Sequence, residues 1–156
     1  MNTIRPGHKE TGVQEVYIGP YNGNTLQYLS DIPEGAVGFV YKITNELDGR
    51  IYIGKKQFYS NTRVKIGVKE KKLTKTRKIY KTIIKESNWK EYNSSCEELK
   101  KDINDLGISN FSKVIIEICY SKADLNYKEV WYQFKYDVLN TPSYNGNILG
   151  KYYKKK

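Results

Sequence analysis

With 156 residues, 38% of them apolar, the chain is long enough for one domain and apolar enough to fold. No apolar run approaches the roughly 20 residues that span a bilayer, two cysteines (Cys96 and Cys119) are too few for a disulfide scaffold or zinc cluster, and the single histidine, His8, excludes mechanisms built on paired histidines. The net charge of +10 asks for a polyanionic partner, so composition predicts a soluble, cytoplasmic protein that binds nucleic acid and no membrane.

Residues 1–35 read as an N-terminal extension. Pro6-Gly7, Gly19-Pro20, Asn22-Gly23 and Pro33-Glu34-Gly35 break it into turns, with space for a short strand at Glu15–Ile18. Gly38–Thr44 then gathers β-branched and aromatic residues, Asn45–Gly49 supplies turn residues, and Arg50–Gly54 forms a second short strand. Together they predict an antiparallel hairpin.

A basic insertion follows at about residues 55–87, with a helix expected over Val68–Lys85. Between Arg50 and Lys90 stand fourteen Lys/Arg against Glu70 and Glu86. Such a block repels itself unless a polyanion covers it. The alternative is a solvated charged face, and a membrane-surface role is weaker for want of large apolar residues at helical spacing. Ser95 and Glu98 form a capping-box pattern for a helix through Leu99, Ile103 and Leu106, ended by Gly107. Phe111–Tyr120 reads as a buried strand. Ser121 with Asp124 caps a last helix over Lys122–Leu139, whose stripe is Leu125, Val130, Trp131, Phe134 and Val138. The sum is an α+β domain over residues 36–153, with a small central antiparallel sheet of about three strands flanked by helices.

The hairpin resembles the signature of the GIY-YIG nuclease superfamily. Its halves are Phe39-Val40-Tyr41 and Tyr52-Ile53-Gly54, with the tyrosines eleven positions apart. The first half departs from the family pattern: Phe39 and Val40 replace Gly and Ile, and Gly38 stands one position early. Downstream, Arg63, Glu129 and the pair Asn145/Asn147 follow in the family's order. Ser87-Asn88-Trp89 and Tyr92-Asn93-Ser94-Ser95 are similar to a signature of phage-encoded, Seg-like free-standing homing endonucleases. Tyr17-Ile18-Gly19 and residues 21–24 echo the motifs but lack the hairpin context.

The resemblance implies metal-dependent hydrolysis of DNA phosphodiesters. Glu129 would hold a single Mg²⁺ (Mn²⁺ as the alternative), no other cofactor being needed. Tyr41 would be the general base or the anchor of the attacking water, with Lys56 or another lysine replacing the missing histidine beside it. Tyr52 would orient water or phosphate. Arg63, with Arg77 as the alternative, would clamp the scissile phosphate, and Asn145 or Asn147 would brace the site. Lys55, Lys65, Lys71, Lys72, Lys75, Arg77 and Lys78 are the expected contacts to duplex DNA. A catalytically inactive DNA-binding protein and a restriction- or repair-type nuclease are the competing readings, and a homodimer on DNA is one route to cutting both strands.

Overall fold

The computed structural model describes residues 16–19 and 32–155. His8, the expected turns before residue 32 and the echo at residues 21–24 lie outside them. The elements in chain order are β1 (Val16–Gly19), β2 (Gly38–Asn45), β3 (Ile51–Gln57), β4 (Tyr59–Lys65), α1 (Val68–Thr74), β5 (Tyr80–Glu86), α2 (Glu97–Leu106), β6 (Phe111–Cys119), α3 (Lys122–Lys135), β7 (Asn147–Ile148) and β8 (Tyr152–Tyr153). No helix among the described residues is long and apolar enough to cross a membrane.

The central sheet runs β1-β6-β2-β3, with every neighbouring pair antiparallel. Its three long strands, flanked by helices, are the α+β architecture expected. The fourth strand, β1, falls one residue later than the expected Glu15–Ile18 and pairs with β6. The β2–β3 turn closes with Gly49 at φ +79°, a conformation that costs glycine little.

Alternation along β2 sorts its side chains to two cores. Phe39, Tyr41 and Ile43 pack with Phe58, Trp89 and Leu99 of α2, whereas Val40 joins Ile53, Leu125 and Tyr132 beneath α3. The sheet is thus sandwiched between two helices, and each fully buried side chain of this size contributes about 1.5–3 kcal/mol. Gly38 is needed where α3 approaches: a Cβ there would lie 2.5 Å from the Lys56 carbonyl oxygen and 2.7 Å from Leu125 Cδ2.

Three expectations are corrected. The basic segment is not one helix over Val68–Lys85, because α1 stops at Thr74 and Lys75 turns left-handed at φ 53°. Like charges one turn apart weaken the helix, and Thr82-Ile83-Ile84 favours a strand, so β5 pairs with β4 as a separate two-stranded ribbon. The Ser95/Glu98 capping box does not form. Ser94, at φ 88°, accepts the Cys96 N–H on its Oγ (3.0 Å), and α2 begins one residue later behind Cys96. The last helix keeps its Ser121 cap, which accepts from Asp124 N at 3.0 Å, but ends at Lys135. Beyond it, the Thr141 and Ser143 hydroxyls donate to the freed carbonyls of Asp137 (2.9 Å) and Val138 (2.6 Å). Its packing stripe is also rotated: Tyr132 and Gln133 are buried, while Trp131 and Phe134 are 41% and 52% exposed.

Candidate active site

The hairpin register sets the two tyrosines side by side. Tyr41 lies opposite Gly54 and Ile43 opposite Tyr52, so Tyr41, Tyr52 and Gly54 share one face of the ribbon. The rings stand 6.2 Å apart. A bulge in the pairing with β6 falls at Val40/Tyr41, a local distortion of the kind that re-aims a side chain. Gly54 is what lets the rings approach. A Cβ there would sit 2.7 Å from the Tyr41 hydroxyl and 2.8 Å from Tyr52 Cε2. Gly54→Ala is therefore expected to cost about 1–3 kcal/mol by overpacking, seen as a lowered urea midpoint. An unchanged midpoint would show that the rings part freely.

The outer side of β3 is closed by side chains. Ile53 N donates to Asn145 Oδ1 (2.9 Å), and Asn145 Nδ2 donates back to the Ile53 carbonyl (2.9 Å). Gln133 Nε2 reaches the same carbonyl at 3.3 Å, and Tyr144 N donates to the Ile51 carbonyl at 2.8 Å. The buried Asn145 amide thus stands in for a neighbouring strand. Asn147 is exposed, and its Oδ1 accepts from Gly150 N at 2.9 Å.

Around that edge a cleft of about 370 Å³ opens, lined in part by Tyr52, Ser95, Glu129, Asn145 and Asn147. Glu129 reaches it from α3 and Tyr52 from the opposite face of the sheet, so the two meet over β3. Lys55 Nζ lies 3.6 Å from Glu129 Oε1 and also donates to Asn126 Oδ1. Burial raises the proton affinity of Glu129, and Lys55 opposes that rise. Burial and, secondarily, the negative charge of Glu129 push Tyr52 up to about 12, so Tyr52 keeps its proton. Tyr41 packs behind, only 1% exposed.

Lysines surround the phenols. Lys56 stands 4.0 Å over the Tyr92 ring, and burial lowers its proton affinity. Lys113, which sequence reasoning missed, is fully buried. Its Nζ donates to the carbonyls of Tyr92 (2.7 Å) and Trp89 (3.3 Å) and lies 5.0 Å over the Tyr41 ring. Burial first, then the charge of Lys56, brings it down to about 7. The signal was in the alternation: Phe111, Lys113 and Ile115 share one face of β6. The Trp89-to-Ser95 stretch, singled out in the sequence, accordingly builds the wall beside the tyrosines.

Not every expected residue arrives. Arg63 does not line this cleft; it stacks on Tyr80 at 4.2 Å in the β4–β5 ribbon and shares a separate groove with Arg77 and Lys78. Lys65 lies on the same ribbon, and Lys71, Lys72 and Lys75 lie on and just after α1. A cation that stands next to Glu129 is Lys55, which itself lines an adjoining groove with Lys56 and Ser60. Another acidic grouping, Glu117, Cys119 and Asp124, has ligand atoms within 4.8 Å of one another. It is occupied internally, because Glu117 accepts from the Tyr132 hydroxyl (2.6 Å) and pairs with Lys128 (3.3 Å), while burial pushes the Cys119 thiol up to about 12.

A family model described as "Putative endonuclease segE, GIY-YIG domain" matches residues 21–156. Comparison with curated proteins and with solved structures gives no match.

Proposed function

We propose that this chain, which belongs to the SegE-type GIY-YIG endonuclease family, cuts duplex DNA in the cleft shared by Tyr52 and Glu129, as a free-standing homing enzyme of phage type. Membership implies nuclease action on DNA; the metal, the residue roles and the biological setting are the proposal. The observation that carries it is the meeting of Glu129 and Tyr52 over the edge of β3, with Asn145 holding that edge.

Hydrolysis joins a water oxygen to phosphorus, breaks the bond to the 3′ oxygen, and passes the water's proton to a base. Among the described residues Glu129 is the one carboxylate lining the cleft, beside neutral oxygens of Tyr52, Ser95 and Asn147. That hard-oxygen set suits a mostly hydrated Mg²⁺ or Mn²⁺, which Glu129 would hold and which would supply charge relief on the phosphoryl oxygens. Lys55 offers the phosphate a positive charge where Arg63 is absent. Tyr52 is the donor: removing its proton at pH 7 costs roughly 7 kcal/mol, so its hydroxyl orients phosphate or water. Tyr41, which packs behind Tyr52 with Lys113 Nζ 5.0 Å over its ring, is assigned as the base in its ionised form or as the anchor of the attacking water.

One observation favours a second reading. Glu129 is ion-paired to Lys55, and no arginine among the described residues lines the cleft, as in a DNA-binding protein that has lost its chemistry. Incubation with a long duplex in Mg²⁺, Mn²⁺ or chelator separates the two. Metal-dependent fragments support the enzyme, whereas salt-sensitive binding with no cutting under either metal rejects it. Discrete fragments point to homing or restriction, and a smear to a less selective nuclease. A single such site per chain would need two encounters, or a second copy on the DNA, to cut both strands.

A further inference from the structure

Among the described residues the β4–β5 ribbon forms a sheet of its own, separate from the central one. It is rooted where Ser87 N and Oγ donate to the carbonyls of Phe58 (2.8 Å) and Gln57 (2.6 Å). Between Tyr59 and Glu86 it and α1 hold ten Lys/Arg against two Glu, which is +8 of the chain's net +10.

The register divides the ribbon into unlike faces. Thr62/Ile83 and Val64/Lys81 point one way. On that face Thr62, Val64 and Ile83 are half-buried, and Lys81 Nζ ties it to α1 by donating to both Glu70 oxygens at 2.7 Å. Asn61/Ile84, Arg63/Thr82 and Lys65/Tyr80 point the other way, and all six are exposed, Ile84 by 71% and Tyr80 by 45%. This second face carries what base edges need. Arg and Asn side chains pair bidentately with guanine and adenine, Thr bonds to either, and an aliphatic group meets the thymine methyl. The Arg63 guanidinium already rests over the Tyr80 ring, 4.2 Å from its centre, so less freedom is lost when it binds.

We propose that this ribbon enters the major groove of B-form DNA with the Asn61–Arg63–Lys65 face toward the bases and α1 turned away, and so selects where the cleft cuts. The inference rests on DNA being the substrate. Charge complementarity sets the partner class, and groove width narrows it: a B-form major groove of about 12 Å admits a two-stranded ribbon, whereas the deep, narrow major groove of A-form RNA does not. A lipid surface fits the exposed Ile84 and Tyr80 but gives no use to Asn61 and Thr82.

The test selects bound duplexes from a randomised pool in chelator, where no cutting occurs, and maps guanine N7-methylation interference on the winners. The intact chain is compared with Asn61→Ala/Arg63→Ala and with Lys71→Ala/Lys72→Ala, both at exposed or half-exposed positions and checked by circular dichroism. The intact chain should enrich a motif sensitive to N7 methylation. The ribbon variant should lose roughly ten- to hundredfold of that preference, while the α1 variant should bind every sequence more weakly and keep the motif. An unchanged motif in the ribbon variant overturns the inference. So does the absence of any motif or of N7 interference, or tighter binding to anionic vesicles than to duplex. Selective binding without cutting would sink the proposed catalysis alone; cutting with ribbon-independent preference would sink the inference alone.

Discussion

Glu129→Gln should reduce cleavage by about 10³-fold or more while leaving DNA binding and the fold in place. The substitution keeps the size of the side chain and its ability to hydrogen-bond, and removes the charge of a carboxylate that lines the cleft. Stability should not suffer. Burial raises the proton affinity of Glu129, so its ionised form opposes folding. That opposition is absent below the unfolded carboxylate range and fully present above the raised folded value. A neutral amide removes it, and the Lys55 left behind is 37% exposed and can be hydrated. Because a proton and the metal would compete for this carboxylate, the acid limb of the activity profile should move to lower pH as the metal concentration is raised. Single-turnover rates across pH and metal concentration, with urea midpoints for both proteins, check this. A variant that cuts at the parental rate would remove Glu129 from the mechanism.

The second large effect is on stability and comes from Lys113. With its folded-state value near 7 and an ordinary value of 10.5, the unfolded chain binds the extra proton between those limits. Stability must therefore rise with pH across that window and level off below about 7. Each pH unit inside the window is worth about 1.4 kcal/mol, so the wild type should gain about 3 kcal/mol from pH 7 to pH 9.5 on this account. Lys113→Met should lack that slope. It should also be less stable at pH 9.5, since the Trp89 and Tyr92 carbonyls lose their buried donor. Urea titrations of both proteins at the two pH values decide it, and equal slopes would show that Lys113 stays charged in the fold.

How much of this was legible follows from which signals were local. The β2–β3 hairpin could be read because turn chemistry and strand alternation agreed over adjacent residues. The Ser121 cap and the apolar run in β6 were legible for the same reason. The order of Tyr41, Tyr52, Glu129 and Asn145 was visible, as was a bracing part for Asn145 through hydrogen bonds to backbone, but not which backbone it holds, because Ile53 is ninety-two positions away. The α3 stripe was misjudged because Trp131 and Phe134 are large and apolar yet face outward. The buried register runs Leu125, Tyr132 and Gln133, and helical spacing puts Glu129 one turn beyond Leu125 on that same side. The ribbon stayed hidden behind its lysines: charge density announced a polyanion partner but obscured the strand preference of Thr82-Ile83-Ile84. Arg63 shows the limit of order alone, for it has the family's place in the chain and a different place in space.

Because the Asn145 amide and the Tyr144 N–H occupy the backbone groups of Ile51 and Ile53, no strand from a neighbouring molecule can zip onto the first half of β3. What remains, Gly54–Gln57, runs beside the charged Lys55 and Glu129, poor ground for main-chain pairing. Two copies working on opposite strands of a target would thus be brought together by the nucleic acid and not by a shared sheet at this edge.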